Sequence, residues 1–151
     1  MSTQDLYAGL PDPDLSPEFY QDVPSKRLFA WIVDTVLIII ITIVLIPFTA
    51  FTAIFYLPFL ALVVSLFYRI VSIARRSATP GMRLMSLEFR TNRGEKFDLS
   101  MAALHTIIFT ISVSFVLPQI VSVILMLTGS RAQGLSDHLL GTAAVNRAAT
   151  Y

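Results

Sequence analysis

The chain has 151 residues, of which 55% are hydrophobic and 14% are charged, and it contains no cysteine. A soluble domain usually carries roughly a quarter charged residues, and the mean hydropathy here is +0.71. Composition therefore excludes an ordinary soluble globular protein, a basic nucleic-acid-binding domain and a disulfide-stabilised scaffold. It indicates an integral membrane protein.

The first 24 residues differ in composition from the rest of the chain, because they hold five acids and neither lysine nor arginine. Such a segment has too little apolar surface to offset the entropy of ordering, so we expect a disordered tail over residues 1–24. Within it, Leu15, Phe19 and Tyr20 could dock on a partner or on the membrane surface. The tail lacks the basic start of a signal peptide, so the first apolar segment is expected to be a permanent anchor.

An apolar stretch of 41 residues, 28–68, contains Asp34 as its sole Asp, Glu, Lys or Arg. A single helix of that length would measure about 60 Å, twice the roughly 30 Å hydrocarbon core of a bilayer. The stretch therefore predicts a helical hairpin with spans at 28–47 and 52–72. Pro58 lies inside the second span, where we expect it to kink the helix.

A third apolar run covers residues 101–128 and is divided by Pro118. It forms either one tilted and kinked span or two half-length helices that enter and leave on the same side. Counting spans favours the single kinked helix, which sends the C-terminus outside. The sequence thus predicts an all-α transmembrane fold, built from a helical hairpin and a third kinked or re-entrant apolar helix.

The loop between the second and third runs is strongly basic, with seven lysines and arginines and two glutamates over residues 69–96. Basic loops mark the cytoplasmic side of a membrane. We therefore expect this loop and the N-terminus to lie in the cytoplasm of a bacterium, with the apolar runs in its inner membrane. Arg75, Arg76 and Arg83 are expected to contact anionic lipid headgroups.

A small cytoplasmic β-hairpin is predicted inside this loop. Residues 84–89 alternate loosely between apolar and polar side chains, Asn-Arg-Gly at 92–94 is a turn signal, and residues 95–97 supply a return strand. Residues 142–145 can add a further strand only if the C-terminus also lies on the cytoplasmic side.

Asp34 is the most informative single residue of the apolar runs. An Asp near a helix centre costs on the order of 2.5–3.5 kcal/mol on insertion scales, so its side chain should face protein or water. Arg27 lies seven residues earlier, two turns along and near the same face. Two interpretations remain open: a buried ion pair that fixes helix packing, or an ion-binding carboxylate.

The three residues Arg27, Asp34 and Asp137 form a recognisable pattern. Asp137 lies in the segment Gln-Gly-Leu-Ser-Asp-His at 133–138. An arginine at the entry of the first span, an aspartate inside it and an aspartate after the third run resemble the RDD family of bacterial membrane proteins, which is named for these residues.

Two loop segments extend this resemblance. Ser-Ala-Thr-Pro-Gly-Met-Arg at 77–83 is similar to the Ala-Thr-Pro-Gly-Lys-Arg loop of the family, and Gly-Thr-Ala-Ala-Val at 141–145 is similar to its Gly-Thr-Val-Val ending. The RDD-like membrane domain then covers residues 25–147, and residues 148–151 form a short C-terminal tail.

The resemblance implies that Arg27, Asp34 and Asp137 act together as one charge network or ion-binding site. If Asp137 is cytoplasmic, Arg27 could bridge both carboxylates, because a guanidinium offers five donors. That arrangement requires a third run that does not cross the membrane, in conflict with the span count. The family has no settled biochemical function, although transport, including cation–proton exchange, has been suggested for it.

A polar stripe runs along the third apolar segment, because His105, Ser112 and Gln119 recur at intervals of seven residues. Such residues commonly form hydrogen bonds between membrane helices, and less often they line a wet path. His105 lies near the basic interface, where we expect it to anchor the helix.

Two functions from different classes remain. The chain is either a transporter, or a transporter subunit, for a cation or proton, or it is a structural or assembly partner of a larger membrane complex. Its small size favours a homo-oligomer or a membrane-protein partner in either case. We expect no enzymatic activity, cofactor, metal or nucleic acid, because no nucleophile, base and metal-ligand set converge.

Overall fold

The computed structural model describes residues 7–147. Its elements in chain order are α1 (Val23–Leu45), α2 (Leu57–Arg76), α3 (Pro80–Leu84), β1 (Leu87–Arg90), α4 (Leu99–Ser114), α5 (Val116–Thr128), α6 (Leu135–Leu140) and β2 (Ala143–Asn146), with 3₁₀ segments at Pro17–Phe19, Pro47–Thr49 and Thr52–Tyr56.

Helices α1 and α2 form the predicted hairpin, and both are long and apolar enough to cross a membrane. Helix α1 begins at Val23, five residues before the predicted boundary, with Pro24 in its first turn. The expected kink at Pro58 is wrong, because this proline also lies in the first turn of its helix, α2. At that position the missing N–H has no intrahelical acceptor to lose, so proline starts a helix without bending it.

The third apolar run is broken rather than gently kinked, since α4 and α5 meet at an angle of 114°. Phe115 between them is fully extended, with φ −122° and ψ 134°. The ring of Pro118 would collide with the carbonyl of Ser114, four residues earlier, if the helix continued. At 1.5 Å per residue, α4 and α5 measure about 24 and 20 Å, each less than a hydrocarbon core.

The two-stranded sheet pairs distant segments instead of forming a hairpin. Strand β1 runs antiparallel to β2, with Leu87 opposite Asn146 and Arg90 opposite Ala143. The prediction of a return strand at 95–97 is therefore wrong, because β1 pairs with β2 instead. The turn before it does form, but the backbone N–H of Phe97 donates to Ser77 Oγ at 2.8 Å, and its ring stacks on another core ring.

We call α3, β1, α6, β2 and residues 7–22 the cap, because they gather at one end of the membrane helices. Leu10 and Tyr20 from residues 7–22 pack on Ala143 and Val145 of β2, and the Tyr20 hydroxyl donates to the carbonyl of Pro11. Residues 7–22 of the predicted tail are therefore folded against β2, whereas residues 1–6 of that tail and the predicted C-terminal tail at 148–151 lie outside the described residues. Sheet pairing across the cap creates an apolar surface that the tail composition does not reveal.

Candidate functional site

Asp34 lies at the junction of α1, α2 and the cap and is 1% exposed. Its Oδ1 accepts hydrogen bonds from the Tyr68 hydroxyl and the Gly81 backbone N–H, both at 2.8 Å. Its Oδ2 accepts from Thr79 Oγ1 at 2.5 Å. The nearest cation is Arg69, whose Nη1 lies 4.0 Å from Oδ2. The predicted pairing of Asp34 with Arg27 is therefore wrong.

The Thr-Pro-Gly segment at 79–81 explains why these donors reach Asp34. Thr79 caps α3, since its Oγ1 accepts from the Met82 backbone N–H at 3.2 Å while it donates to the carboxylate. A Cβ on Gly81 would stand 2.8 Å from Asp34 Oδ1 and would collide with the carbonyl oxygen of Ala30. Only glycine allows α3 to approach α1 this closely. The resemblance to the family includes this segment, but the sequence alone did not reveal that the segment contacts Asp34.

Asp137 is the second buried acid, and it is fully enclosed. Its Oδ2 accepts from Arg27 Nη1 at 2.5 Å and from the Gly134 backbone N–H at 3.0 Å. Its Oδ1 contacts His105 Nε2 at 2.9 Å and accepts from Thr142 Oγ1 at 3.1 Å. A carboxylate has about four acceptor sites, and all of them are occupied here.

The surroundings of Asp137 determine its ionisation. Burial alone would raise the pKa of this carboxyl, but the Arg27 guanidinium and the hydrogen bond from His105 outweigh burial and hold the pKa below its ordinary value. Asp137 is therefore a stable anion at neutral pH. The three named residues do not form one constellation: Arg27 serves Asp137 and does not bridge to Asp34.

Arg69 is a site residue that sequence reasoning missed. It was counted with the basic loop, yet it lies in the apolar run 52–72, where a charge is costly. Its guanidinium stacks over the Phe109 ring at 4.9 Å. Its Nε has no hydrogen-bond partner within the described residues. Its place inside an apolar run was the signal that could have separated it from the loop arginines.

The predicted polar stripe is divided by the bend. His105 and Ser112 are buried on α4, whereas Gln119 lies half-buried on α5 beyond the break at Phe115. His105 also packs against the Phe89 ring with centroids 4.5 Å apart. It is a buried partner of an acid, so its expected role as an interfacial anchor is wrong. The seven-residue spacing predicts a single polar face only if one helix runs from His105 to Gln119, and the helix is broken at Phe115.

The three arginines predicted to contact lipid headgroups are all exposed. Arg75 and Arg76 end α2, and Arg83 lies in α3. Their position at the cap end of the apolar helices leaves their side chains free to reach an interface, and contact with lipid stays a prediction.

A cavity of about 620 Å³ lies between α1, α2, α4 and α5, and it reaches both acid networks. Asp34 and Arg69 line one part of its wall, Arg27 and His105 line another, and apolar side chains form most of the remainder. Within residues 7–147, no group of three or more His, Cys, Asp or Glu side chains is placed to hold a metal ion.

The apolar helices and the two buried acid networks define the class of this molecule, a helical membrane protein with a charged cavity at one end. More particularly, the chain belongs to the RDD family, whose model, described as "RDD family", matches residues 23–141. No curated protein and no solved structure gives a significant match. The segments that resembled the family are those that surround the two acids: Thr79 and Gly81 contact Asp34, and Gly134 and Thr142 contact Asp137.

Proposed function

We propose that the protein is a multi-pass protein of a bacterial inner membrane, with α4 and α5 as a re-entrant pair and the whole cap in the cytoplasm. The short lengths of α4 and α5 and the 114° bend support re-entry. Pairing of β2 with β1 places the C-terminal segment beside the basic loop. Because that loop carries seven bases, the positive-inside rule assigns this end to the cytoplasm.

A C-terminal reporter tests this orientation. Fusion of green fluorescent protein or alkaline phosphatase after the last residue should give fluorescent cells and an inactive phosphatase. Fusion of the same reporters at Phe48, in the turn between α1 and α2, is the matched control and should give the opposite pair of results. An active phosphatase at the C-terminus would show that the third run crosses the membrane.

We further propose that the chain is a transporter subunit whose substrate occupies the cavity. The single observation that supports this role is a cavity of about 620 Å³, within the roughly 300–1,000 Å³ range of ligand sites, with charged and polar side chains in a mostly apolar wall. Three apolar runs are few to enclose a path, so an oligomer or a partner is needed to complete one.

Neither aspartate is a good cation site in this arrangement. Asp137 has its four acceptor sites filled, and Asp34 accepts three hydrogen bonds with a guanidinium 4.0 Å away. A cation beside Asp34 would meet the positive charge of Arg69. The cavity, rather than either carboxylate, is therefore the substrate site that we propose, and Asp34 and Asp137 hold the helices and the cap together.

Charge movement in reconstituted membranes tests transport. Proteoliposomes on a solid support are exposed to steps of Na⁺, K⁺, H⁺ or decanoate, a single-chain carboxylate. Val123→Trp fills the cavity, whereas Val121→Trp, on the same helix and also exposed, does not line it. A current in wild type and Val121→Trp that is lost in Val123→Trp supports the proposal. Currents no larger than those of protein-free membranes under all four steps would refute it.

A second role, as a structural or assembly partner of a larger complex, is favoured by the four filled acceptor sites of Asp137 and the three hydrogen bonds to Asp34, since a purely structural network needs no free acceptor. Purification of a tagged chain in mild detergent tests it. Recovery of a stable stoichiometric complex supports this role, and recovery of a lone monomer argues against it.

A further inference from the structure

We propose that the cavity binds the acidic headgroup and chain of a single-chain anionic amphiphile that enters from the bilayer, with Arg69 and Thr106 as its polar contacts. This inference deepens the proposed function, because it names the substrate class of the same cavity and rests on that function for the position of the cavity in the membrane. The shared chemistry is a carboxylate or a phosphate on an acyl chain.

Arg69 supplies unused hydrogen-bond donors. Arg69 is 9% exposed. Its Nε has no hydrogen-bond partner within the described chain, and its Nη1 lies 4.0 Å from Asp34 Oδ2, which is too far for a hydrogen bond. Asp34 is already served by three other donors. A buried guanidinium nitrogen without a hydrogen-bond partner is costly, and an oxyanion is the group that best matches the fork of donors of an arginine.

Thr106 provides a second unpaired group in the same wall. It is 1% exposed and lines the cavity, and its Oγ1 has no partner within residues 7–147. It lies one helical turn before Phe109, the ring under the Arg69 guanidinium, so both groups belong to the contact between α2 and α4. A hydroxyl in the same cavity wall as a guanidinium offers a second hydrogen-bond donor for an anionic headgroup.

The shape of the cavity favours a ligand with an apolar tail that comes from the lipid. Leu28 and Trp31 of α1, and Val123 and Leu127 of α5, line the cavity and are exposed apolar side chains. In the bilayer that the proposed function assigns to these helices, this apolar rim would meet the acyl chains of the lipid. An apolar wall with a few convergent polar groups is typical of small-molecule sites.

Trp31 is the single tryptophan of the chain and lines the cavity, so it reports on binding directly. The full-length chain in phosphatidylcholine nanodiscs is titrated at alkaline pH with a brominated fatty acid, a lysophosphatidic acid with the same chain, and the corresponding neutral monoacylglycerol. Bromine quenches indole fluorescence on contact. Quenching that saturates with either acid, and rises only linearly with the neutral lipid, is the expected result, and the acid that saturates identifies the headgroup.

Variants locate the site. Arg69→Gln and Thr106→Val should each weaken saturable binding about tenfold, as expected for the loss of one hydrogen bond to a charged group. Arg76→Gln, an exposed arginine at the end of the same helix, should bind like wild type. Because Arg69→Gln removes the cation nearest to Asp34 and could unfold the chain, Thr106→Val and the neutral pair Asp34→Asn with Arg69→Gln provide independent tests.

Three results would overturn the inference: saturation by the neutral lipid with equal affinity, linear quenching by all three lipids, or unchanged affinity in folded Arg69→Gln and Thr106→Val. Failure of the proposed function is a separate outcome. Saturable binding without charge movement would remove the transport role and leave this site intact. Charge movement with linear quenching by all three lipids would support the transport role and remove the proposed amphiphile site.

Discussion

Replacement of Arg27 by alanine should destabilise the protein strongly, because it leaves a fully buried carboxylate without its cation. Asp137 has a side chain 0% exposed, and the side chain of Arg27 is 12% exposed. Removing one partner of a buried ion pair costs roughly 3–5 kcal/mol. We expect the lower end, about 3 kcal/mol, because Asp137 keeps its hydrogen bonds with His105, the Gly134 backbone N–H and Thr142 when Arg27 is removed.

Arg90→Ala is the matched control for this substitution. The side chain of Arg90 is 27% exposed, and its partner Glu88 keeps Arg147 at 3.9 Å. The Glu88 side chain is 9% exposed and receives two hydrogen bonds from Arg90, but it keeps a cation after the substitution, so we expect a cost of about 1 kcal/mol, the upper end for a partly exposed pair. At about 2–4 °C per kcal/mol for a chain of this size, Arg27→Ala should lower Tm by about 6–12 °C and Arg90→Ala by a few degrees at most.

Thermal unfolding of a fluorescent fusion in detergent, followed by size-exclusion chromatography, measures both Tm and folded yield. The double variant Arg27→Ala with Asp137→Asn should recover part of the loss, because no unpaired charge is then buried. Equal Tm and yield for Arg27→Ala and Arg90→Ala would refute the reasoning, since a buried acid cannot lose its cation without cost unless water reaches it.

Two further predictions concern the acid networks. Thr79→Val removes the donor to Asp34 Oδ2 and the cap of α3, so it should lower the free energy of unfolding by about 1–3 kcal/mol. Thr79→Ser keeps the hydroxyl and should retain most of the stability. Equal Tm values for the two variants would contradict this prediction. The pKa of Asp137 is lowered on folding, so its contribution is complete above the ordinary value of about 4 and is lost as pH falls through the folded pKa. The Tm difference between wild type and Asp137→Asn should therefore shrink on acidification below about pH 4, and a constant difference would contradict the lowered pKa.

Several features of the fold followed from local sequence properties. The helical hairpin and the family resemblance were confirmed, because an apolar run of fixed length and a motif of neighbouring residues are readable along the chain. The sequence left open on which side of the membrane the C-terminus lies, because that depends on whether Pro118 kinks the third apolar run or breaks it. Pro118 was recognised as an interruption, but the angle between α4 and α5 depends on the packing of α5 against α4 and α6.

The candidate site was only partly predictable. Arg27, Asp34 and Asp137 are all buried or nearly so, as their cost in an apolar setting required. Their partners were not predicted: Arg27 pairs with an acid 110 residues away, and Asp34 is held by donors from α2 and the Thr79–Gly81 segment. Proximity along one helix suggested Arg27 and Asp34 as a pair, but an axial offset of about 10 Å separates them, and nearer donors were available to each.

The sequence by itself determined that this chain belongs in a membrane, where its two long helices run, and which ionisable groups must be hidden from lipid. These are properties of hydropathy and length, and each can be evaluated within a single segment. The tertiary structure alone decided which cation accompanies which acid, that a C-terminal strand pairs with the basic loop, and that a cavity forms between the helices. Those outcomes depend on contacts between distant segments, which form because the break at Phe115 turns the chain back. Hydropathy gives the cost of burying a charge but does not specify the partner of that charge.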